Sequence, residues 1–184
     1  LLIGSGTTLW WHWEPWWLEH ELYKLDNDHD VRPVFSPDGK RILTCGRDAR
    51  IWDVETGNLV LCLRHDMAET SMAIFSNDGR SVIAMTKTGN AYVWDLESGR
   101  IAKELRHRTP YSEHCKEFGQ FSPTVEISKD GRYVLTAGID NLSILWDVQS
   151  AEQVRHFQHD YCVSSAALSG DSKRVVTGGL NDGV

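Results

Sequence analysis

A repeated motif constrains the fold of this chain more than any other feature. A Trp-Asp pair flanked by aliphatic residues occurs three times, with the tryptophans 42 and 52 residues apart: Trp52, Trp94 and Trp146. A turn motif of the type Ser-x-Asp-Gly runs in step with it, beginning at Ser36, Ser76, Ser128 and, in weaker form, Ser169. A histidine also follows each tryptophan by 13 residues. Three markers that share a period near 42 predict stacked units that bury their faces against each other.

The residue types within one unit predict four short antiparallel strands. Short β-rich runs follow the Asp-Gly turn at 40–45 and 132–137. Pro37 presets φ for a type I turn, and Gly39 accepts the positive φ that closes it. A second turn leads to the strand that ends in Trp-Asp, and a third leads to an edge strand. Such a meander has the length of one propeller blade.

These motifs resemble those of the WD40-repeat β-propeller family, closely over 29–184 and loosely over 1–28. The resemblance implies an all-β fold class. We expect a β-propeller fragment of four-stranded antiparallel blades, with three complete WD40-type blades plus partial blades at both ends. The expected units are a degenerate partial blade at 1–28, blades at 29–64 and 65–106, a blade at 107–158 with an insertion at 108–121, and a truncated blade at 159–184.

In that family the repeat histidine, a small hydroxyl, a turn aspartate and the tryptophan form a structural hydrogen-bond network inside each blade. Carried over by position, the structural repeat residues are Trp10, Asp48, Trp52, His65, Trp94, His107, Asp140, Trp146 and His159. By the same alignment Ala137 and Cys45 stand where the hydroxyl belongs, and the second unit lacks a turn aspartate. We therefore expect an incomplete network and blades that depend more on apolar packing.

The N-terminal segment fits the same frame. Trp10 precedes Trp52 by 42 residues, which predicts two strands within 1–13 and an edge strand near 19–25. Four further tryptophans, at positions 11, 13, 16 and 17, leave two interpretations open. They fill a degenerate blade, or they form an interfacial aromatic belt beside a membrane helix upstream. The missing initiator methionine suggests a fragment, whose cut blades would favour self-association.

Composition excludes several classes of partner. The net charge of −7 argues against nucleic acid, which requires clustered Lys and Arg. The longest apolar stretch falls short of a membrane span, so we expect no membrane segment within this chain. The four cysteines contain no CxxC pair and are interpreted as reduced thiols, which favours a cytoplasmic location.

Motifs that could carry chemistry are weak. His-Asp pairs begin at His29, His65 and His159, but two of them occupy the repeat position, which favours a structural role over a metal site. His156, His159 and Cys162 have zinc-like spacing, although their side chains need not converge. The sequon at Asn141 is interpreted as an ordinary turn. No nucleophile elbow, P-loop, HExxH or GxGxxG motif occurs, so we expect neither catalytic activity nor a cofactor.

An insertion marks the most distinctive loop. The distance from the repeat histidine to the hairpin serine is 11 residues in the second unit and 10 in the fourth, but 21 from His107 to Ser128. Aromatic and chargeable residues in this loop and its neighbours suit a contact surface, although a solvated loop is an equal alternative. The candidate partner-binding residues are Met67, Glu69, Lys87, Arg108, Tyr111, His114, Phe118 and Tyr161.

The sequence therefore predicts a non-catalytic protein-protein interaction scaffold. Two alternatives stay open. One is a sensory or regulatory WD40 module of a larger membrane-attached or kinase-containing signalling protein, and the other is an enzyme that uses the axial channel of a propeller. Fold alone does not decide among them.

Overall fold

The computed structural model describes residues 2–5, 8–13, 18–22, 33–64, 69–87, 89–107, 123–138 and 140–179. Within them all regular structure is β-strand, in five sheets. Sheet I contains β1 (Leu2–Ser5), β2 (Thr8–Trp13) and β3 (Leu18–Leu22). Sheet II contains β4 (Val34–Phe35), β5 (Arg41–Thr44), β6 (Ala49–Asp53) and β7 (Leu59–Leu63). Sheet III contains β8 (Thr70–Phe75), β9 (Ser81–Thr86), β10 (Ala91–Asp95) and β11 (Arg100–Leu105). Sheet IV contains β12 (Thr124–Ile127), β13 (Tyr133–Ala137), β14 (Leu142–Asp147) and β15 (Glu152–Gln158), and sheet V contains β16 (Val163–Leu168) and β17 (Val175–Gly179).

Each sheet is an antiparallel meander in which neighbours in sequence are neighbours in space. Sheets II, III and IV have four strands each, which confirms the predicted all-β class and the four-stranded blade. All three have a register shift at the tryptophan, where the third strand pairs with the fourth. Trp10 lies in β2, and the last strand of sheet I covers Leu18–Leu22, slightly earlier than the predicted 19–25.

The sheets stack face to face through their apolar side chains. One buried cluster combines Leu43 and Ile51 of sheet II with Phe75 and Trp94 of sheet III. A second combines sheets III and IV, and a third packs Leu135 and Ala137 of sheet IV against Val163 and Ala166 of sheet V. The first strands contact each other in succession, β4 with β8, β8 with β12 and β12 with β16. The core therefore lies between successive sheets, as blades require.

The hairpin between the first and second strands is fixed by its own Ser and Asp. In sheet III the Ser76 hydroxyl donates to Asp78 (2.6 Å) and accepts from the Ser81 N–H (2.9 Å). Gly79 closes the turn at φ 67°. The same bonds recur at Ser36, Ser128 and Ser169, and Ser172 takes the glycine position at φ 57° in the last. The hydroxyl first, and then a backbone N–H, hold the pKa of Asp78 below its ordinary value.

The aspartate of each Trp-Asp pair stabilises the turn before the edge strand. Asp53 accepts hydrogen bonds from the N–H and the hydroxyl of Thr56, at 2.8 and 2.7 Å. Asp95 accepts both from Ser98 in the same way, and Asp147 accepts backbone N–H groups of Gln149 and Ser150. The Trp-Asp motif therefore joins a core residue to a turn residue.

The cysteines differ from the sequence-based interpretation in one respect. Cys162 is disulfide-bonded, so the prediction of four reduced thiols is wrong for this residue. Cys45 and Cys62 are free. Burial raises the pKa of the Cys45 thiol to about 12, which makes it a packing residue rather than a nucleophile.

Candidate functional site

The third unit contains the four-residue network that its histidine suggested. His107 Nδ1 lies 2.9 Å from Asp140 Oδ2, and His107 Nε2 lies 2.7 Å from Thr136 Oγ1. Trp146 Nε1 donates to the same Thr136 oxygen at 2.8 Å. The side chains of His107 and Asp140 are only 2 % and 5 % exposed. These polar groups are therefore committed to one another inside the protein.

The hydroxyl in this network belongs to Thr136, so the expectation that Ala137 takes its place is wrong. Successive side chains of a strand point to opposite faces. Ala137 packs with Val163 toward sheet V, whereas Thr136 points to the face that holds His107 and Trp146. The register is one residue earlier than the alignment gave, and the predicted gap in this unit does not exist.

Sheet II contains the Trp–Thr part of the network, and its aspartate, Asp48, contacts residues at the end of β7. Trp52 Nε1 donates to Thr44 Oγ1 at 2.9 Å, so here too the hydroxyl precedes the expected Cys45. Asp48 Oδ2 lies 3.6 Å from the Arg64 guanidinium and 3.7 Å from Cys62 Sγ. Asp48 therefore tethers the end of β7 within its own sheet.

Sheet V repeats part of the network, and sheet III differs from it. His159 Nε2 lies 2.8 Å from Thr177 Oγ1, which repeats the His–Thr contact of sheet IV. In sheet III Thr86 Oγ1 donates to the Asn90 carbonyl (3.1 Å), and the buried Trp94 N–H has no partner among the described residues. His65 lies outside the described residues. The hydroxyls that the sequence alignment missed are Thr44, Thr86, Thr136 and Thr177. Their signal was a threonine near the end of the second strand in each of sheets II to V.

The residues considered for metal binding do not form a ligand set. His156 Nδ1 lies 2.8 Å from Gln153 Nε2, His159 contacts Thr177, and Cys162 is in a disulfide. Across the part of the chain that the structure describes, no three His, Cys, Asp or Glu side chains are grouped to hold an ion.

Two of the candidate contact residues meet at one end of the sheets. We define the rim as the end where the second strands finish and the first strands begin; the Ser-x-Asp-Gly turns lie at the opposite end. Glu69 and Lys87 form an ion pair there, with side chains 40 % and 48 % exposed. The Lys87 N–H also donates to the Glu69 carbonyl at 3.0 Å. The backbone beneath the pair is tied to sheet II, because the Thr70 N–H donates to the Gly46 carbonyl at 2.9 Å.

Tyr161 lies on the same rim, half-buried, two residues before β16 begins. The remaining candidates fall outside the described residues and stay predictions: Met67, Arg108, Tyr111, His114 and Phe118. None of the described segments forms a helix long and apolar enough to cross a membrane.

Comparisons with known proteins agree with this geometry. The family model described as "WD domain, G-beta repeat" matches residues 25–53. The guanine nucleotide-binding protein subunit beta of Schizosaccharomyces pombe is 31 % identical over 61 residues, which is 33 % of this chain and 20 % of that protein. A chain in the crystal structure of the mitotic checkpoint complex superposes with a TM-score of 0.77 at 16 % identity, over 97 % of this chain and 53 % of that one.

This chain thus spans about a fifth of that curated relative and about half of the solved structure. The described part of the matched repeat, residues 33–53, belongs to the first of the four-stranded sheets, and the structural likeness extends across nearly all of the chain. Together with the repeated Trp-Asp strands, these findings show that residues 25–53 match a WD40 repeat and that the chain has the β-propeller fold.

Proposed function

We propose that this chain is a non-catalytic protein-interaction module that contacts its partner through the rim. The observation that carries the proposal is the exposed Glu69–Lys87 pair, held on backbone that is hydrogen-bonded between two blades. A charged pair on rigid backbone loses little conformational entropy on binding and gives a partner a defined electrostatic pattern.

The polar groups of the repeat motif support the same proposal. In sheet IV the imidazole, carboxylate, hydroxyl and indole N–H are all used inside the protein. His107 and Asp140 are too buried to meet a substrate. Among the described residues, the rim offers a partner the side chains of Glu69, Lys87 and the half-buried Tyr161, and the loop at 108–121 is the proposed extension of this surface.

A charge-reversal experiment tests the rim. The chain is used as bait, and the proteins it retains are compared between Lys87→Glu and Lys129→Glu, an equal charge change at the exposed opposite end. Lys87→Glu should weaken binding about tenfold or more, since it places like charges together. Lys129→Glu should bind like the wild type. Equal retention of partner proteins by both variants would refute the proposal that the rim is the contact surface.

A double variant separates charge recognition from local geometry. Glu69→Lys combined with Lys87→Glu keeps the ion pair but inverts its direction. A partner that reads the charges should still be lost, whereas recovery would show that only the local conformation matters. Deletion of residues 109–121 tests the loop separately, and an unchanged set of partners would exclude it from the contact surface.

A further inference from the structure

The last strand of sheet II is an edge without charged protection. β7 has the sequence Leu-Val-Leu-Cys-Leu, and Leu59 and Val60 are 48 % and 51 % exposed. β11 and β15 occupy the same terminal position in sheets III and IV. Their interiors carry charges, at Lys103 with Glu104 and at Arg155. An edge strand presents unpaired N–H and C=O groups, and charged side chains are a common means of blocking its pairing with another strand.

Backbone geometry does not account for the difference between these edges. The same register shift beside the tryptophan occurs in all three sheets, and it leaves Val60, Ala102 and Val154 at equivalent positions. Val154 is 53 % exposed, close to Val60, yet it is followed directly by Arg155. What distinguishes β7 is therefore its side-chain chemistry.

The sequence of β7 is complementary to itself in the antiparallel direction. A second copy centred on Leu61 sets Leu59 beside Leu63 and Val60 beside Cys62. The charges at the two ends are also complementary. Arg64 is exposed after the strand, and Glu55 is exposed in the turn before it, with the whole strand between them. An antiparallel second copy brings each Arg64 near the other copy's Glu55.

We propose that β7 is a homotypic docking edge, on which two copies of this chain pair antiparallel and join their second sheets into one. The contact is a single five-residue strand with two end ion pairs, which is at the small end of specific interfaces. We therefore expect weak association, with a dissociation constant on the order of 10–100 μM. Arg64 follows β7 at the rim end, but the edge includes neither Glu69 nor Lys87, so its failure leaves the proposed function untouched.

Sedimentation equilibrium over a concentration series tests the edge. Val60→Lys should shift the chain toward monomer by about tenfold or more in dissociation constant, because it places a charge in the pairing edge. Val154→Lys is the matched control, with the same change at the equivalent, equally exposed position of sheet IV. It should dimerise like the wild type. A wild-type chain that stays monomeric at about 1 mM, or an equal loss in both variants, would overturn the proposal.

Mixing two charge variants tests the antiparallel arrangement. Arg64→Glu alone and Glu55→Arg alone each create two repulsive contacts in their own homodimers, so each should dimerise more weakly than the wild type. An equimolar mixture restores an attractive pair at both ends and should recover the dimer. A folding defect cannot be rescued by such mixing. A mixture no better than either variant would refute homotypic antiparallel pairing and leave, at most, a strand of another protein as the occupant.

Discussion

Trp94 and Trp146 occupy the same repeat position but differ in what their indole N–H groups contact. Trp146 donates to Thr136, whereas the Trp94 N–H has no partner among the described residues. Both side chains are buried: Trp94 is 5 % exposed and Trp146 is 6 % exposed. Comparing substitutions at the two tryptophans therefore distinguishes the stability contributed by the indole hydrogen bond from the stability contributed by apolar packing.

Phenylalanine at each position should give different costs. Trp146→Phe removes a buried hydrogen bond and leaves a network oxygen short of a donor, so it should lower the free energy of unfolding by about 1–2 kcal/mol more than Trp94→Phe. Urea unfolding of the two variants measures this difference. Equal costs would show that the Trp146 hydrogen bond adds nothing to stability.

Ser143 offers a substitution that should not destabilise. Its hydroxyl is fully buried and has no hydrogen-bond partner within the described residues, and Ala49 and Ala91 fill the equivalent positions. Ser143→Ala should leave the free energy of unfolding unchanged or raise it by up to about 1 kcal/mol. Thr136→Val is the contrast, expected to cost about 1–3 kcal/mol because it orphans His107 and Trp146. A clear loss of stability in Ser143→Ala, measured by thermal unfolding, would show that the Ser143 hydroxyl makes a stabilising hydrogen bond and would contradict this prediction.

At the residue scale the sequence predicted the histidine, the aspartate and the tryptophan of the network but placed the hydroxyl one residue late. Motif spacing cannot decide which of two adjacent strand residues faces a given sheet. That choice depends on register with the neighbouring strands, as Thr136 opposite Ile144 and Ala137 opposite Ser143 demonstrate. The Asp48–Arg64 contact was missed for a related reason, because it depends on where the end of β7 lies.

At the scale of elements, the Ser-x-Asp-Gly turns should make stability sensitive to acid. The pKa of Asp130 is lowered chiefly by the Ser128 hydroxyl and then by the Arg132 N–H. Because the folded pKa is below the unfolded one, the stabilisation is complete above the unfolded pKa, near 4, and is lost as pH falls through the folded pKa.

In Asp130→Asn the free energy of unfolding should therefore fall less steeply as the pH is lowered. The midpoint of urea unfolding, measured from pH 6 down to pH 2, should fall less steeply for this variant than for the wild type. Ser128→Ala should make this decline less steep as well, since it removes the largest cause of the shift. Profiles parallel to the wild type in both variants would contradict this account of the turn.

The turn before the edge strand contains a strained residue in sheet IV. Gly57 and Gly99 take positive φ, at 71° and 66°, but Ala151 holds the equivalent position at φ 59°. A side chain with a Cβ is disfavoured in this region. Ala151→Gly should therefore raise the free energy of unfolding by about 0.5–1 kcal/mol, net of the entropy that glycine adds to the unfolded chain. Differential scanning calorimetry checks this, and a lower melting temperature would contradict it.

Elements were more predictable than contacts, because the first hairpins of sheets II, III and IV close through turn residues with a local mechanism. Gly39, Gly79 and Gly131 all have the positive φ that their turns require. The N-terminal edge strand was displaced, since between Trp13 and Lys24 no Asp-Gly or Asn-Gly signal fixes its start. The disulfide at Cys162 could not be foreseen from spacing, because it depends on the three-dimensional approach of distant residues.

At the scale of the whole molecule, stability depends on sheets that bury each other's faces. The buried clusters of the described residues each combine side chains of two successive sheets. Polar contacts cross the same boundaries: the Asn77 amide donates to the carbonyls of Ser128 and Lys129, both at 2.9 Å. The repeat period predicted this stacking. It could not predict that Glu69 and Lys87 would form an ion pair on the rim.

Trp94→Ala tests the stacked-blade account most directly. Trp94 is in sheet III but packs in the cluster that includes Leu43 and Ile51 of sheet II, so its loss opens a cavity between two blades. Its N–H has no hydrogen-bond partner among the described residues, so the cost of the substitution reports packing rather than hydrogen bonding. Chemical denaturation should show a loss of about 3–5 kcal/mol in the free energy of unfolding. A loss below about 1 kcal/mol would contradict the packing of successive blades around this tryptophan.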